Sequence, residues 1–229
     1  MASIVRKFTE FKPADIKFGD VSKNKNNGKV VYLSHADGGN LLYQLPLLRA
    51  PFGLGTNTDN DTGALKGYTL SLSADDDTVN RTIGEMEAHV CQFLFAHSEE
   101  IWGKQKSLES ITENYNSVIK QPKDPKYKPN INLKVDVDRN VKIMTEAWAG
   151  KPLGRVPLES LSKGQSVTAI IELNQLYFIG NALYGVSIRV KQVKFAEVTT
   201  LKSCAFIDNE GDTEMDDDSD DDDEVDVPE

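Results

Sequence analysis

Cysteine is nearly missing from this chain: Cys91 and Cys204 are the only two in 229 residues, too few for the disulfide framework that staples small secreted domains. Both are expected reduced, with Cys91 buried in a helical pattern. Histidine is almost as scarce, at three copies, and His89 and His97 have no partners at metal-ligand spacing, so both read as ordinary helix residues. No apolar run approaches the roughly 18 residues of a membrane span, and the opening MASIVRKFTEFKP has no long apolar stretch of the secretory kind. The expectation is an intracellular protein with no membrane contact. There is also no G-x-x-x-x-G-K-[ST], no G-x-G-x-x-G after a strand, no H-E-x-x-H and no C-x-x-C. Familiar nucleotide, zinc and redox chemistries therefore find no support, and nothing sets two carboxylates on one wall of a cleft. No enzyme, catalytic residue, cofactor or metal is expected.

Positive charge is absent from the last twenty-two residues, which instead carry fourteen carboxylates, among them Asp216, Asp217, Asp218, Asp220, Asp221, Asp222, Asp223 and Glu224. Like charges repel, and Met215, Val225 and Val227 are too few to offset the entropy of ordering the segment, so residues 208–229 should be a disordered acidic arm. The whole chain is net -10, with 26 basic and 36 acidic residues, yet residues 1–207 hold 26 basic against 22 acidic. A mildly basic body with an acidic arm suggests a body that binds a polyanion and an arm that competes for the same surface or recruits partners.

Hydrophobic residues make up 39% of the chain, enough for one sizeable core, and residues 1–207 read as one domain. Strands are expected at Lys29–Ser34 and Leu41–Leu48, joined through a Gly-Gly turn, and at Gly67–Ser73; a polar loop, TNTDNDTGALKG, precedes the last. One strong helix, about 78–102, follows Asp75, Asp76 and Asp77, with Val79, Ile83, Met86, Val90, Phe93, Leu94 and Ile101 at helical spacing. Residues 115–134 carry five lysines and three prolines, which forbid a helix and favour an extended basic arm. Strands resume at Ile131–Val137, Val141–Thr145, Gln165–Leu173 and Tyr184–Phe195; the last sets Val186, Ile188 and Val190 against Ser187, Arg189 and Lys191, an apolar face opposed to a basic one. With no βα repeat, the fold class is mainly β: an OB-fold-like antiparallel Greek-key barrel with one inserted helix.

Basic residues interleave with aromatics in the second half. Cations neutralise a phosphate track while exposed rings stack on unpaired bases, so this mixture suits single-stranded nucleic acid. The candidate DNA-binding residues are Arg49, Lys120, Lys123, Lys126, Tyr127, Lys128, Lys134, Trp148, Lys151, Tyr177, Phe178, Tyr184, Arg189 and Lys191. An arm of fourteen carboxylates resembles a strand of phosphates, and would occupy such a groove until DNA displaces it.

The run Lys163–Phe195, with Tyr177 and Phe178, the turn at Gly180 and Asn181, and the opening Gly185, Val186 and Ser187, resembles the last two core strands of the single-stranded-DNA-binding proteins of T-odd phages, the gene 2.5 product type. It looks still closer to their relatives in large nucleocytoplasmic DNA viruses, and LPLLRAPFGLG, Leu45–Gly55, is similar to a stretch of those relatives. The resemblance implies an OB-fold barrel with an inserted helix and a role coating single-stranded DNA in viral replication, recombination or repair. It also implies replication-protein partners such as a polymerase or primase-helicase, a possible homodimer, and a place at sites of viral DNA replication in host cytoplasm or nucleus. The phage tails end in an aromatic residue, whereas this chain ends Val225, Asp226, Val227, Pro228, Glu229, which puts polymerase docking through the terminus in doubt. A histone-chaperone-like protein and a virion assembly protein are the alternatives that an acidic tail on a β-rich body leaves open.

Overall fold

Seven strands precede the helices: β1 (Val5–Lys7), β2 (Ile16–Lys23), β3 (Lys29–His35), β4 (Leu41–Gln44), β5 (Leu48–Arg49), β6 (Leu54–Thr58) and β7 (Leu65–Ser73). Helices α1 (Asp77–Ala96), α2 (Ser98–Trp102) and α3 (Leu108–Glu113) follow, then β8 (Ile119–Lys120), β9 (Asn130–Val135), β10 (Glu146–Ala149), β11 (Gly154–Val156), β12 (Ser166–Ile179) and β13 (Leu183–Phe195). This computed structural model describes residues 4–24 and 27–197, all within one compact unit, Met1–Glu197. The expected boundary at 207, Cys204 and the tail carboxylates lie outside the described residues. No described helix is long and apolar enough to cross a membrane.

The long hairpin of β12 and β13 is the spine. Its antiparallel register runs from Val167 opposite Phe195 to Ile179 opposite Leu183, with irregularities at Ile170/Ile171 and Leu173/Gln175, where extra residues bend and twist the ribbon. The turn passes through Gly180 at φ 59°, a conformation glycine enters without a Cβ clash. On its other side β12 pairs antiparallel with β3, β4 and β5. Beyond β13 the sheet continues through β9 and β7 to β6. Val167, Ala169, Ile171 and Leu173 of β12 meet Ile188, Val190 and Val193 of β13 and Leu70, Leu72, Ile131 and Leu133 in one buried cluster. This is the expected mainly-β arrangement with a helix inserted between strands.

The sheet is mixed rather than wholly antiparallel: β1 with β4, β13 with β9 and β10 with β13 run parallel. Parallel neighbours need a long crossover: β10, β11 and β12 supply it between β9 and β13, while the helices link β7 to its antiparallel neighbour β9. Other differences have local causes. Leu41–Leu48 divides into β4 and β5 at Pro46, which has no N–H to donate to a ladder. The supposed polar loop is a hairpin of β6 and β7, closed where the Asp59 carboxylate accepts from the N–H groups of Asp61 and Thr62 at 3.0 and 2.9 Å. Val141–Thr145 is not a strand. Asp138 accepts from Asn140 and Lys142 N–H at 2.8 and 2.9 Å and folds the segment into a turn, with Val141 at φ 62° and a single bridge from Val137 to Ile143.

Asp76 caps α1, its carboxylate accepting from Val79 N–H at 2.9 Å; such a cap is worth ~1 kcal/mol. The face bearing Val79, Ile83, Met86, Val90 and Leu94 is buried. On its flank Phe93 stacks on Phe18 of β2 at 3.9 Å and 4°, with His89 and His97 beside these two rings. The expected single helix breaks at His97 into α1 and α2, and α2 stops at Gly103, φ 71°. Cys91 is a free, buried thiol, and burial pushes it up to about 11.

Candidate nucleic-acid interface

Period-two alternation sends Leu70 and Leu72 of β7, and Ile131, Leu133 and Val135 of β9, into the core. The opposite face of the pair carries Thr69 against Lys134, Ser71 against Asn132 and Ser73 against Asn130. Ser71 Oγ donates to Asn132 Oδ1 at 2.7 Å. From Thr69 to Ser73 is four residues, about 14 Å of strand, and Lys134 is the only charged group among these six. A cluster of cations and rings stands at each end of this polar strip.

At the Lys134 end a cavity of about 190 Å³ is lined by Thr69, Asn116, Lys120, Asn132, Lys134 and Tyr177 among others. Segment 115–118 is fixed from both sides. Glu87 of α1 accepts from Val118 N–H at 2.6 Å and from the Ser117 hydroxyl at 3.0 Å, and Asn116 N–H donates to the Tyr184 carbonyl at 2.8 Å. Asn116 then aligns the functional groups, its Nδ2 donating to the Tyr177 hydroxyl and its Oδ1 accepting from Lys120 Nζ. This close approach needs Gly185, where a Cβ would lie 2.8 Å from the Asn116 carbonyl oxygen. Lys134 Nζ sits 5.5 Å from the centre of the Tyr177 ring. Burial, and for Lys134 the neighbouring Arg189 guanidinium, lowers the lysine pKa; burial also lowers that of Lys120, against the pull of Glu87. Ammonium groups disfavoured in this way gain from an arriving anion.

At the Asn130 end a cleft of about 530 Å³ is lined by Arg49, Phe52, Asp75, Lys126, Tyr127 and Lys128, with Ser73, Pro122 and Asn130. Phe52 and Tyr127 are 59% and 62% exposed, so both side chains reach solvent. Lys126 lies 4.9 Å from the centre of the Tyr127 ring and pairs with Asp124 at 2.9 Å, while Lys128 pairs with Asp75 at 3.3 Å. Arg49 Nε donates to the Gly164 carbonyl at 3.2 Å. Lys123 is exposed in the loop joining β8 to β9.

The structure thus gathers Lys120, Lys134 and Tyr177 at one end of the strip, and Arg49, Lys126, Tyr127 and Lys128 at the other. It separates the rest. Phe178 and Tyr184 are corrected from stacking platforms to core residues, 8% and 1% exposed. Alternation points Phe178 away from its neighbour Tyr177, and Trp102 of α2 covers both rings at centroid distances of 6.0 and 5.1 Å. The Tyr184 hydroxyl donates to the Ile111 carbonyl at 3.0 Å, and burial pushes it up to about 12.

The basic face of β13 is engaged in an ion network. Arg189 and Lys191 both bind Asp136, the former at 2.9 Å, and Lys191 lies 3.7 Å from Glu172. Burial would raise the Asp136 pKa, but the hydrogen bonds and charges of Lys191 and Arg189 outweigh it and hold the carboxyl below its usual range. Trp148 lines a different cavity, about 220 Å³, with Leu153, Ile170 and Lys194, and Lys151 pairs with Glu197 at 3.1 Å; neither borders the two clefts. The tail residues Asp216–Glu224 lie outside the described residues.

Sequence reasoning missed Phe52, Asn116, Asn130 and Asn132. A signal for Phe52 was present in RAPFGLG: Gly53, at φ 68°, makes the turn that leaves the ring outside. The asparagines had none, because their role depends on which strands become neighbours.

No family model and no curated protein matches the chain. Among solved structures it is similar to the single-stranded DNA-binding protein of bacteriophage Enc34 in complex with ssDNA, at 11% identity and TM-score 0.44 over 82% of this chain and 99% of that one. It is also similar to gp2.5, a single-stranded DNA binding protein encoded by bacteriophage T7, at 13% identity and TM-score 0.46 over 74% and 98% of the two chains. The phage side of the sequence resemblance recurs here. At these TM-scores the likeness is distant, and the reading of the site stands on its own geometry.

Proposed function

We propose that this chain is a non-enzymatic single-stranded-DNA-binding protein. The observation that carries the reading is the uncharged polar strip on β7 and β9, bounded at one end by Lys120, Lys134 and Tyr177 and at the other by Arg49, Lys128, Phe52 and Tyr127. Cations at the ends hold the phosphate chain, exposed rings stack bases, and serine and asparagine side chains replace water along the strip. Rings set among cations suit a polyanion with unpaired bases better than a basic protein such as a histone, which would be repelled.

Four phosphate contacts, through Arg49, Lys120, Lys128 and Lys134, give a slope of log affinity against log salt near -0.7 × 4, about -3. Titrating a fluorescent single-stranded oligonucleotide at several salt concentrations measures it; a flat response refutes the proposal. Within the same proposal, residues 1–207 form the binding body and the arm 208–229 competes with DNA for the two clefts, becoming free for replication proteins once displaced, during viral replication, recombination or repair. Deleting 208–229 then tightens single-strand binding at low salt, and unchanged or weaker binding rules the competition out.

A further inference from the structure

Asp75 is out of place in a phosphate-binding cleft. Among the described residues it is the only carboxylate lining the cleft of Arg49, Phe52, Lys126, Tyr127 and Lys128, and its charge opposes the phosphates those cations would hold. Helix capping does not account for it, since Asp76 accepts the Val79 N–H. Its described partner is Lys128, at 3.3 Å with side chains 38% and 70% exposed, and an exposed pair of this kind is weakly held. Once Lys128 turns to a phosphate, the Asp75 oxygens face a cleft that also contains two exposed rings. At about 530 Å³, that cleft is within the range of small-ligand pockets.

We propose that Asp75 makes this cleft selective for bases bearing an exocyclic amine, cytosine over thymine, in the strand that the protein binds. A ring stacked on Phe52 or Tyr127 turns its polar edge toward the surrounding side chains. Cytosine offers there an N4 amino group that donates to a carboxylate, whereas thymine offers the O4 acceptor at that position and its one donor, N3–H, lies between O4 and O2, two oxygens that repel a carboxylate. The Ser73 hydroxyl and Asn130 amide, which line the same cleft, adapt to either base and do not select. Stacking alone tolerates every base, so Asp75 is the group in this cleft that distinguishes them.

The inference rests on the single-strand reading above, and one experiment separates the two. Affinities of the full chain for labelled oligodeoxycytidine and oligodeoxythymidine of equal length are measured at mildly alkaline pH, where cytosine is unprotonated, for wild type and Asp75→Ala. The expected result is about a tenfold wild-type preference for oligodeoxycytidine, the size of one good base contact. In Asp75→Ala the preference disappears from both directions: oligodeoxycytidine binds more weakly and oligodeoxythymidine more tightly. Equal wild-type affinities, or an equal gain on both oligonucleotides in the variant, overturn the selectivity and leave the single-strand reading standing. If wild type binds neither, the reading of function itself fails.

Discussion

Replacing Lys134 by methionine and, separately, Arg189 by methionine should pull binding and stability apart. The two residues are opposite each other on β9 and β13 and looked equivalent as basic strand residues. Lys134 has a ring beside it and an ammonium disfavoured by burial and by Arg189; Arg189 is bound to Asp136. With four contacts, binding falls about fiftyfold between 50 and 200 mM salt; with three it falls about twentyfold, because each contact contributes about 0.7 to the slope. Lys134→Met should show the smaller fall, with unfolding stability unchanged or higher. Arg189→Met should keep the wild-type salt dependence and lose stability. A fully buried pair costs 3–5 kcal/mol to break, but the Arg189 side chain is 42% exposed, so about 1–2 kcal/mol is the discounted expectation. Fluorescence anisotropy across salt and urea unfolding provide the readouts. Were Lys134→Met to keep the full slope while Arg189→Met lost part of it, the division between binding and structural cations would be wrong.

The rings should divide in the same way. Tyr127→Ala removes an exposed stacking face and should weaken single-strand binding by about 1–3 kcal/mol without moving the unfolding midpoint, whereas Tyr184→Phe deletes the hydrogen bond to Ile111, costing stability by ~1 kcal/mol and leaving affinity alone. Parallel titrations and melts of the two variants check this. Glu87 gives a pH dependence: burial raises its pKa above the ordinary value despite the hydrogen bonds from Val118 and Ser117. Its contribution to stability is therefore full below the ordinary glutamate pKa and declines as pH rises through the raised one. Glu87→Gln abolishes this titration, so its stability relative to wild type should increase from acidic to neutral pH; urea unfolding at both ends of that window would refute the assignment if the difference stayed constant.

How much could be read before folding depends on the range of the interactions involved. Helix α1 was legible because its cap at Asp76 and its apolar stripe are set by neighbours three and four residues away. Strands β12 and β13 were legible through alternation and the turn at Gly180. The division at Pro46 and the loss of a strand at Val141–Thr145 were missed although their causes are local, because the apolar residues there outweighed single breakers. The site was half legible. Lys126, Tyr127 and Lys128 follow from composition, since an exposed loop rich in proline and lysine stays exposed wherever it is placed. The ion pair of Arg189 and the burial of Tyr184 were not legible because they depend on partners far along the chain, Asp136 53 residues away and Ile111 73 residues away.

That long-range pairing also changes what the charge of the body means. A surplus of 26 basic over 22 acidic residues in positions 1–207 suggests a diffuse positive surface, yet Arg6, Lys66, Lys151, Arg155, Arg189 and Lys191 all sit within ion-pair distance of carboxylates. Exposed pairs contribute little to stability, but at long range they cancel as dipoles and add little to the field that steers a polyanion. Among the strip cations Lys126 and Lys128 pair with Asp124 and Asp75, whereas Arg49, Lys120 and Lys134 sit in no described ion pair, so neutralising one of these three removes a charge that no neighbouring acid offsets. Neutralising a paired cation elsewhere leaves its carboxylate partner uncompensated and makes the body more acidic without removing a contact. Mutating the two kinds of cation should therefore change association in different ways: loss of a strip cation lowers the salt slope, and loss of a paired one slows encounter at low salt while the slope stays near about -3.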